Sequence, residues 1–217
     1  MDVLLFGGSR GRLDHDRIDA LEKAAGTHEV VITEDPEEQR SCLDRVVIAA
    51  RHVPVSNLVA APRLRWYQRW YAGVEDLALS EELRSRDVIV TNASGVHAEP
   101  MAEHVFGMLL AFARRLHVSI RNQELAQWKR FTSRELDELA GKTLVVAGLG
   151  AVGRRVAELG LAFGMNVIGV RRSEEPSIVR CVTLDALHDV LPDADVVVCA
   201  LPLTTATRGV FSAVAFS

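Results

Sequence analysis

The sequence has few cysteines, few prolines and no long apolar run. Its 217 residues include only Cys42, Cys181 and Cys199, without C-x-x-C spacing. This argues against a disulfide framework and a metal site, and it favours a reducing, cytoplasmic setting. The 7 prolines and 15 glycines exclude a collagen-like or low-complexity chain. The longest apolar run, residues 105–113, is too short to cross a bilayer, and the run near Met1 is too short for a signal peptide.

The charge balance excludes two classes of partner. Lys and Arg number 25 against 29 Asp and Glu, which gives a net charge of −4. Because no basic run exceeds two residues, neither nucleic acid nor an anionic membrane is expected as a partner. Hydrophobic residues make up 48% and charged residues 25%, which is typical of a globular protein with one large or two small domains.

Short apolar runs alternate with helical patterns along the chain, and this alternation predicts a parallel α/β fold. A second group of strands follows a helical segment over residues 99–128, which forms one helix or two. The middle of that segment is apolar on every face, so it is expected either between two domains or subunits or in the core of one domain. The predicted strands are residues 3–6, 30–33, 46–49, 65–68, 88–91, 143–147, 166–170, 179–183 and 195–200.

The sharpest motif is the run Gly148-Leu149-Gly150-Ala151-Val152-Gly153. It lies between a predicted strand and a predicted helix, which is the context of a dinucleotide-binding turn. Gly148 allows the tight turn, Gly150 lets the backbone approach a diphosphate, and Gly153 permits close helix–strand packing. The amides of Ala151 and Val152 at the helix start would face the diphosphate. A glycine-rich turn without a ligand is the alternative.

The end of the following strand bears on which dinucleotide is bound. An acidic residue there would accept hydrogen bonds from the ribose of NAD. The sequence has Arg171-Arg172-Ser173 instead, and two guanidinium groups with a hydroxyl are suited to a 2′-phosphate. The predicted cofactor is therefore NADP, with NAD possible, and a solvated basic turn is the alternative.

Four stretches of the sequence resemble the D-isomer-specific 2-hydroxyacid dehydrogenases. They are WYAGVEDL (70–77), VIVTNASGVHAEPMAEHVFGMLLAFARR (88–115), LAGKTLVVAGLGAVGRRVAELGLAFGMNVIGV (139–170) and DADVVVCALPLTTATRGVF (193–211). The resemblance implies a flavodoxin-like substrate domain over residues 1–97 and an incomplete Rossmann dinucleotide-binding domain over residues 98–217. It also implies a homodimer formed through the 99–128 segment. The arginine pair resembles the glyoxylate or hydroxypyruvate reductase branch, which uses NADPH.

The resemblance also implies roles for particular residues. Ala72, Gly73 and Val74 would offer backbone amides to the carboxylate of a 2-keto acid. Leu201 and Pro202 would border the adenosine, and Thr207 would contact a phosphate or ribose oxygen. The implied reaction transfers a hydride between the nicotinamide and a small 2-keto or 2-hydroxy acid.

No residue is predicted to be catalytic. In the family an Arg, a Glu and a His perform the catalytic chemistry. The sequence motifs that contain these three residues in the family are absent from these 217 residues. His97 is interpreted as a loop residue. Arg51 and His52 close a predicted strand, where ligands usually bind, and could contact the distal group of a substrate. The alternative function is a catalytically silent protein that binds a dinucleotide or dimerises.

The strand at 195–200 suggests that the sequence is part of a longer chain. Its run VVVCA predicts a fully buried strand, but no later segment can pair with it. Either more chain follows in the complete protein, or association with another chain covers the unpaired edge of this strand.

Overall fold

The computed structural model of the protein describes residues 1–78, 80–172 and 177–216. The chain divides into two compact units, Met1–Ser94 and Gly95–Ser217. Each unit contains a parallel β-sheet with helices between its strands. Over the described residues, none of the helices has the length and apolar character needed to cross a membrane.

The first unit contains a five-stranded sheet in the order β2-β1-β3-β4-β5. This is the flavodoxin-like order. Its strands are β1 (Val3–Gly7), β2 (Glu29–Ile32), β3 (Val46–Arg51), β4 (Trp66–Gln68) and β5 (Ile89–Thr91). Its helices are α1 (His15–Ala25), α2 (Pro36–Arg40), α3 (Val55–Ala60), α4 (Glu75–Ala78) and α5 (Glu81–Arg84).

The core of the first unit lies around β1 and β3. All five residues of β1 are buried, since this central strand is covered on both faces. Polar side chains are buried at one end of the sheet, where Gln39 and Asn57 hydrogen bond to each other over 3.1 Å. The Gln39 amide also donates to the carbonyl of Thr33 over 3.2 Å. These contacts satisfy amides that would be costly to bury unpaired.

The second unit begins with two helices, α6 (Ala98–Ala113) and α7 (Leu116–Glu124). Of the two alternatives for residues 99–128, the structure therefore has two helices in succession. The break follows Arg114, and Arg115 has a φ of 53°. Glu99 in the first turn of α6 accepts a hydrogen bond of 2.7 Å from Arg155, and this bond lowers the pKa of the Glu99 carboxyl.

The remaining elements of the second unit form a four-stranded sheet in the order β8-β7-β6-β9. This order corresponds to strands 3-2-1-4 of a Rossmann fold. The strands are β6 (Thr143–Ala147), β7 (Asn166–Arg171), β8 (Arg180–Thr183) and β9 (Val196–Cys199), and the helices are α8 (Ala151–Ala162) and α9 (Leu187–Val190). The predicted α/β fold with a flavodoxin-like and a Rossmann sheet is thus confirmed.

Burial within the described residues bears on two expectations from the sequence. The strand β9 is not fully buried, because Val197 and Cys199 are exposed while Val196 and Val198 are half-buried. Within the described residues β9 pairs only with β6 and forms an edge of the sheet. Helix α6 buries Phe106 but leaves Phe112 70% exposed, so it is not covered on every face within the unit.

Candidate functional site

The glycine-rich turn connects β6 to α8 in the centre of the second sheet. Gly148 follows β6 directly and has a φ of 99°, a conformation that favours glycine. Its amide donates to the carbonyl of Val170 over 2.8 Å. A Cβ at this position would lie 2.7 Å from the carbonyl oxygen of Ala200. The turn is therefore enclosed by the carboxyl ends of β7 and β9, where ligands bind in open α/β sheets.

The other two glycines of the turn have different surroundings. A Cβ on Gly153 would overlap the carbonyl oxygen of Gly148, so this glycine allows α8 to pack against the turn. A Cβ on Gly150 would meet no atom within 4 Å. The sequence expectation for Gly153 agrees with this packing, and the space over Gly150 is open to a ligand.

The first turn of α8 supplies hydrogen-bond donors beside that open space. Gly150 is the N-cap of α8, and the helix begins at Ala151. The amides of Ala151 and Val152 have no acceptor within the helix, because the first amides of any helix lack one. Together with the positive end of the helix dipole, these amides fit the diphosphate of a dinucleotide.

A cavity of about 320 Å³ lies at the end of β7. Arg171 is half-buried in its wall, and Arg172 is exposed. Ser173, the third member of the predicted cluster, lies outside the described residues. The cavity is lined by Leu149, Arg154, Ala157, Arg171, Ser177 and Ile178. The structure therefore brings a second guanidinium, from Arg154, to the cavity that Arg171 lines.

Arg154 and Gly169 were not identified from the sequence. Arg154 belongs to α8, one turn after Gly150, and helical spacing from the glycine motif was the signal available for it. Gly169 lies within β7, where a Cβ would be 3.0 Å from Cγ of Leu149. It lets the Leu149 side chain lie across the sheet and form part of the cavity wall.

The segment after β9 passes beside the turn. The amide nitrogen of Leu201 lies 3.0 Å from the position of a Cβ on Gly148, and the Leu201 side chain is half-buried while Pro202 is exposed. The Thr207 hydroxyl donates to the Pro202 carbonyl over 2.5 Å and accepts from the Thr204 amide over 2.9 Å. These bonds hold the loop in shape, which the sequence did not predict for Thr207.

In the first unit, Ala72, Gly73 and Val74 form a loop after β4. The Asn92 amide donates to the carbonyl of Ala72 over 2.7 Å. On the same segment, Arg69 forms an ion pair with Asp76. Burial alone would raise the pKa of Asp76, but the hydrogen bond and charge of Arg69 outweigh it and hold that pKa below its usual range. The loop is thus anchored at both ends, with Gly73 half-buried between the anchors.

In the part of the chain that the structure describes, the histidines are not paired with acidic side chains. His97 is exposed at the start of α6. Across residues 1–78, 80–172 and 177–216, no histidine is within ion-pair distance of a carboxylate, and no cluster of three or more His, Cys, Asp or Glu side chains could hold a metal ion.

Comparison with known proteins identifies the family. The family model described as D-isomer specific 2-hydroxyacid dehydrogenase, NAD binding domain, matches residues 106–217. A glyoxylate reductase from Aeropyrum pernix is 35% identical over 159 residues, which cover 70% of this chain and 47% of that relative. A D-3-phosphoglycerate dehydrogenase from Methanocaldococcus jannaschii is 31% identical over 170 residues, which cover 75% of this chain and 31% of that relative.

Solved structures agree with this result. A D-isomer specific 2-hydroxyacid dehydrogenase family protein from Aeromonas salmonicida superposes with a TM-score of 0.82 at 30% identity, covering 98% of this chain and 67% of that one. A D-isomer specific 2-hydroxyacid dehydrogenase from Xanthobacter autotrophicus Py2 gives a TM-score of 0.74 at 27% identity, covering 99% and 68%. The chain spans about half, or less, of the length of the curated relatives named above. The family model and these neighbours together establish that the chain belongs to the D-isomer specific 2-hydroxyacid dehydrogenase family.

Proposed function

We propose that this chain is the part of an NADP(H)-dependent oxidoreductase that binds the dinucleotide and the carboxylate of a small 2-keto acid. The observation that carries the proposal is the turn Gly148–Gly153. Its open space over Gly150 adjoins the helix amides of Ala151 and Val152, and this combination suits a diphosphate. The substrate class is a 2-keto acid such as glyoxylate or hydroxypyruvate.

The preference for NADP over NAD rests on the end of β7. A carboxylate at this position would repel a 2′-phosphate, whereas β7 ends at Arg171 and is followed by Arg172. Arg154 adds a further positive charge to the cavity. The related structure from Xanthobacter autotrophicus is a complex with NADPH, which is consistent with this proposal.

The substrate carboxylate is assigned to the loop Ala72–Val74. Backbone amides that point towards one another at a sheet end can hold an anion without a charged side chain. A bound nicotinamide would supply or accept the hydride at the carbonyl carbon of the substrate. The residues of the loop orient the acid, and none of the described histidines is assigned as the proton donor.

A second copy of the chain is the proposed partner, bound through α6 and α7. Large apolar side chains are exposed along these helices and at the C-cap of α7, as is typical of surfaces that bind another protein. They are Met101, Met108, Phe112, Leu116, Ile120 and Leu125. The proposed location is the cytoplasm, because Cys42, Cys181 and Cys199 are all free thiols.

Calorimetric titration with NADPH and NADH tests the proposed cofactor. We expect tighter binding of NADPH by the unaltered chain. The double substitution Arg171→Asp with Arg172→Ala should weaken NADPH binding by about tenfold to hundredfold for each guanidinium removed. Arg130→Ala is the control, since Arg130 is exposed between α7 and β6 and does not line the cavity that contains Arg171. Equal affinity of the unaltered chain for both dinucleotides would refute the assignment of the 2′-phosphate.

A further inference from the structure

The loop that we assign to the substrate carboxylate has unused hydrogen-bond donors. Among the described residues, the amides of Ala72 and Gly73 donate to no acceptor. The Tyr71 carbonyl accepts from the Ala93 amide over 3.3 Å, and the Ala72 carbonyl accepts from the Asn92 side chain. A trans peptide places its N–H opposite its C=O. The amides of Ala72 and Gly73 therefore both point away from the segment that follows β5.

Burial contributes little to the order of this loop. Trp70 is 46% exposed and Tyr71 is 51% exposed. The Arg69 side chain, which comes just before them, is only 17% exposed. Because half-exposed side chains bury little apolar area, polar contacts must supply more of the order of the loop. The most enclosed of these three side chains is the charged one.

Arg69 contacts the loop at its far end and in its middle. It directly follows β4, whereas Asp76 lies in the first turn of α4. Nη1 of Arg69 lies 2.5 Å from Oδ1 of Asp76. The guanidinium carbon of Arg69 lies 5.7 Å from the ring centre of Tyr71, within the range of a cation–π contact. One side chain thus links the residues on both sides of the amides that face the substrate.

No second carboxylate can replace Asp76 in this contact. Among the described side chains, Asp76 is the only carboxylate within 4.0 Å of Arg69. The Nε of Arg69 is buried and has no described acceptor. Loss of the Asp76 charge would therefore leave a largely buried guanidinium without an ionic partner, which is unfavourable. We expect the guanidinium then to turn towards water and to leave the ring of Tyr71.

We propose that Arg69 is a positioning residue, which pairs with Asp76 and packs on Tyr71 to keep the loop amides turned towards the carboxylate of the keto acid. The inference rests on the proposed function of residues 72–74. Arg69 acts through the loop and is assigned no contact with the substrate. A loop that is already held in its binding conformation has less entropy to lose when the acid binds.

Titration with hydroxypyruvate tests the proposal on the whole chain. Binding is followed by NMR through the amides of Ala72 and Gly73. Arg69→Met removes the ion pair and the cation–π contact but keeps a long unbranched side chain. It should weaken binding by about fivefold to tenfold, since the affinity can fall only by as much as the two contacts favour the held loop. Arg69→Lys keeps the charge and should restore most of the affinity.

A double-mutant cycle connects the effect to the ion pair. Asp76→Asn should weaken binding by about twofold to threefold. Combining it with Arg69→Met should weaken binding no further than Arg69→Met alone, because both substitutions remove the same contact. Arg65→Met is the matched control. It removes an exposed arginine just before β4, and it should leave both the affinity and the loop amide signals unchanged.

The outcomes separate the inference from the proposed function. Unchanged affinity in Arg69→Met, additive losses in the double variant, or an equal loss in Arg65→Met would each overturn the role of Arg69 and leave the loop assignment standing. Failure of the unaltered chain to bind hydroxypyruvate would overturn both together. Hydrogen exchange of the β1 amides shows whether each variant is folded. If Arg69→Met is not, Asp76→Asn decides the question by itself, and unchanged affinity there overturns the inference.

Discussion

The two units place different chemical groups at the carboxyl ends of similar parallel sheets. In the first unit, these ends carry large side chains, with Arg51 held against Phe6 and Trp70. In the second unit, the central strand β6 ends in a turn where two of the three glycines leave no room for a side chain, at Gly148 and Gly153. One architecture can therefore serve two kinds of ligand. Backbone amides can approach a long diphosphate only where side chains are absent, whereas side chains can surround a small acid.

The strongest effect should come from placing a methyl group in the glycine turn. Gly148→Ala should destabilise the second unit by about 2–4 kcal/mol, because an alanine would adopt an unfavourable φ and would also crowd the Ala200 carbonyl. Hydrogen exchange of the β6 amides measures this destabilisation.

Gly209→Ala is the matched control for Gly148→Ala. Gly209 has a φ of 74° but no atom within 4 Å of its Cβ position, so this substitution isolates the backbone cost of about 1 kcal/mol. Equal destabilisation in the two variants would mean that the close approach of Ala200 contributes nothing.

A smaller and more selective effect is expected at Gly150. Its φ of −71° suits any residue, and the space around its Cβ position is open. Gly150→Ala should therefore leave hydrogen exchange of β6 unchanged while weakening NADPH binding by about tenfold or more, since the methyl group would occupy the position assigned to the diphosphate. Calorimetry measures the affinity. An unchanged affinity would place the diphosphate elsewhere.

The weakest effect concerns the ion pair beside the substrate loop in the first unit. The pKa of Asp76 is lowered in the folded chain, so its contribution to stability is present above the unfolded pKa near 4 and is lost as pH falls through the folded value. Because the Asp76 side chain is 51% exposed, Asp76→Asn should cost only about 0.5 kcal/mol at neutral pH. Thermal unfolding between pH 7 and pH 2 should show the variant and the unaltered chain converging below pH 4.

Asp19→Asn provides the control for this pH dependence. Asp19 is exposed on α1, and no cation lies within ion-pair distance of it in the described part of the chain. Asp19→Asn should leave the difference in thermal stability between neutral and acidic pH the same as in the unaltered chain. The same pH-dependent destabilisation in both variants would show that the effect does not come from the ion pair of Asp76 with Arg69.

The strands could be predicted because runs of apolar residues in the sequence indicate buried strands. The prediction of 143–147 matches β6 at both ends, since a strand buried on both faces is a continuous apolar run. The short helices could not be predicted in the same way. Helix α2 has five residues and α4 has four, which is too few for a helical period to be recognised.

The candidate site was predicted where local sequence determines local geometry. The glycine spacing located the turn because each glycine meets a requirement of the strand–turn–helix connection. Arg154 was missed, because its place in the wall of the Arg171 cavity depends on how α8 packs against β7. Thr207 was predicted to contact a ligand, and the structure shows its hydroxyl hydrogen bonded to Pro202 and Thr204 within the same loop.

The amino-acid order alone was enough to specify the succession of strands and helices, the position of the glycine turn and the arginine pair at the end of β7, because apolar periodicity and glycine conformation act over a few neighbouring residues. Folding in three dimensions was needed to place Arg51 beside two aromatic rings, to bring Gly148 against Ala200 and to leave one face of α6 exposed. These features join residues that are distant along the chain. They exist only once parallel strands are paired and their ends meet at one edge of a sheet.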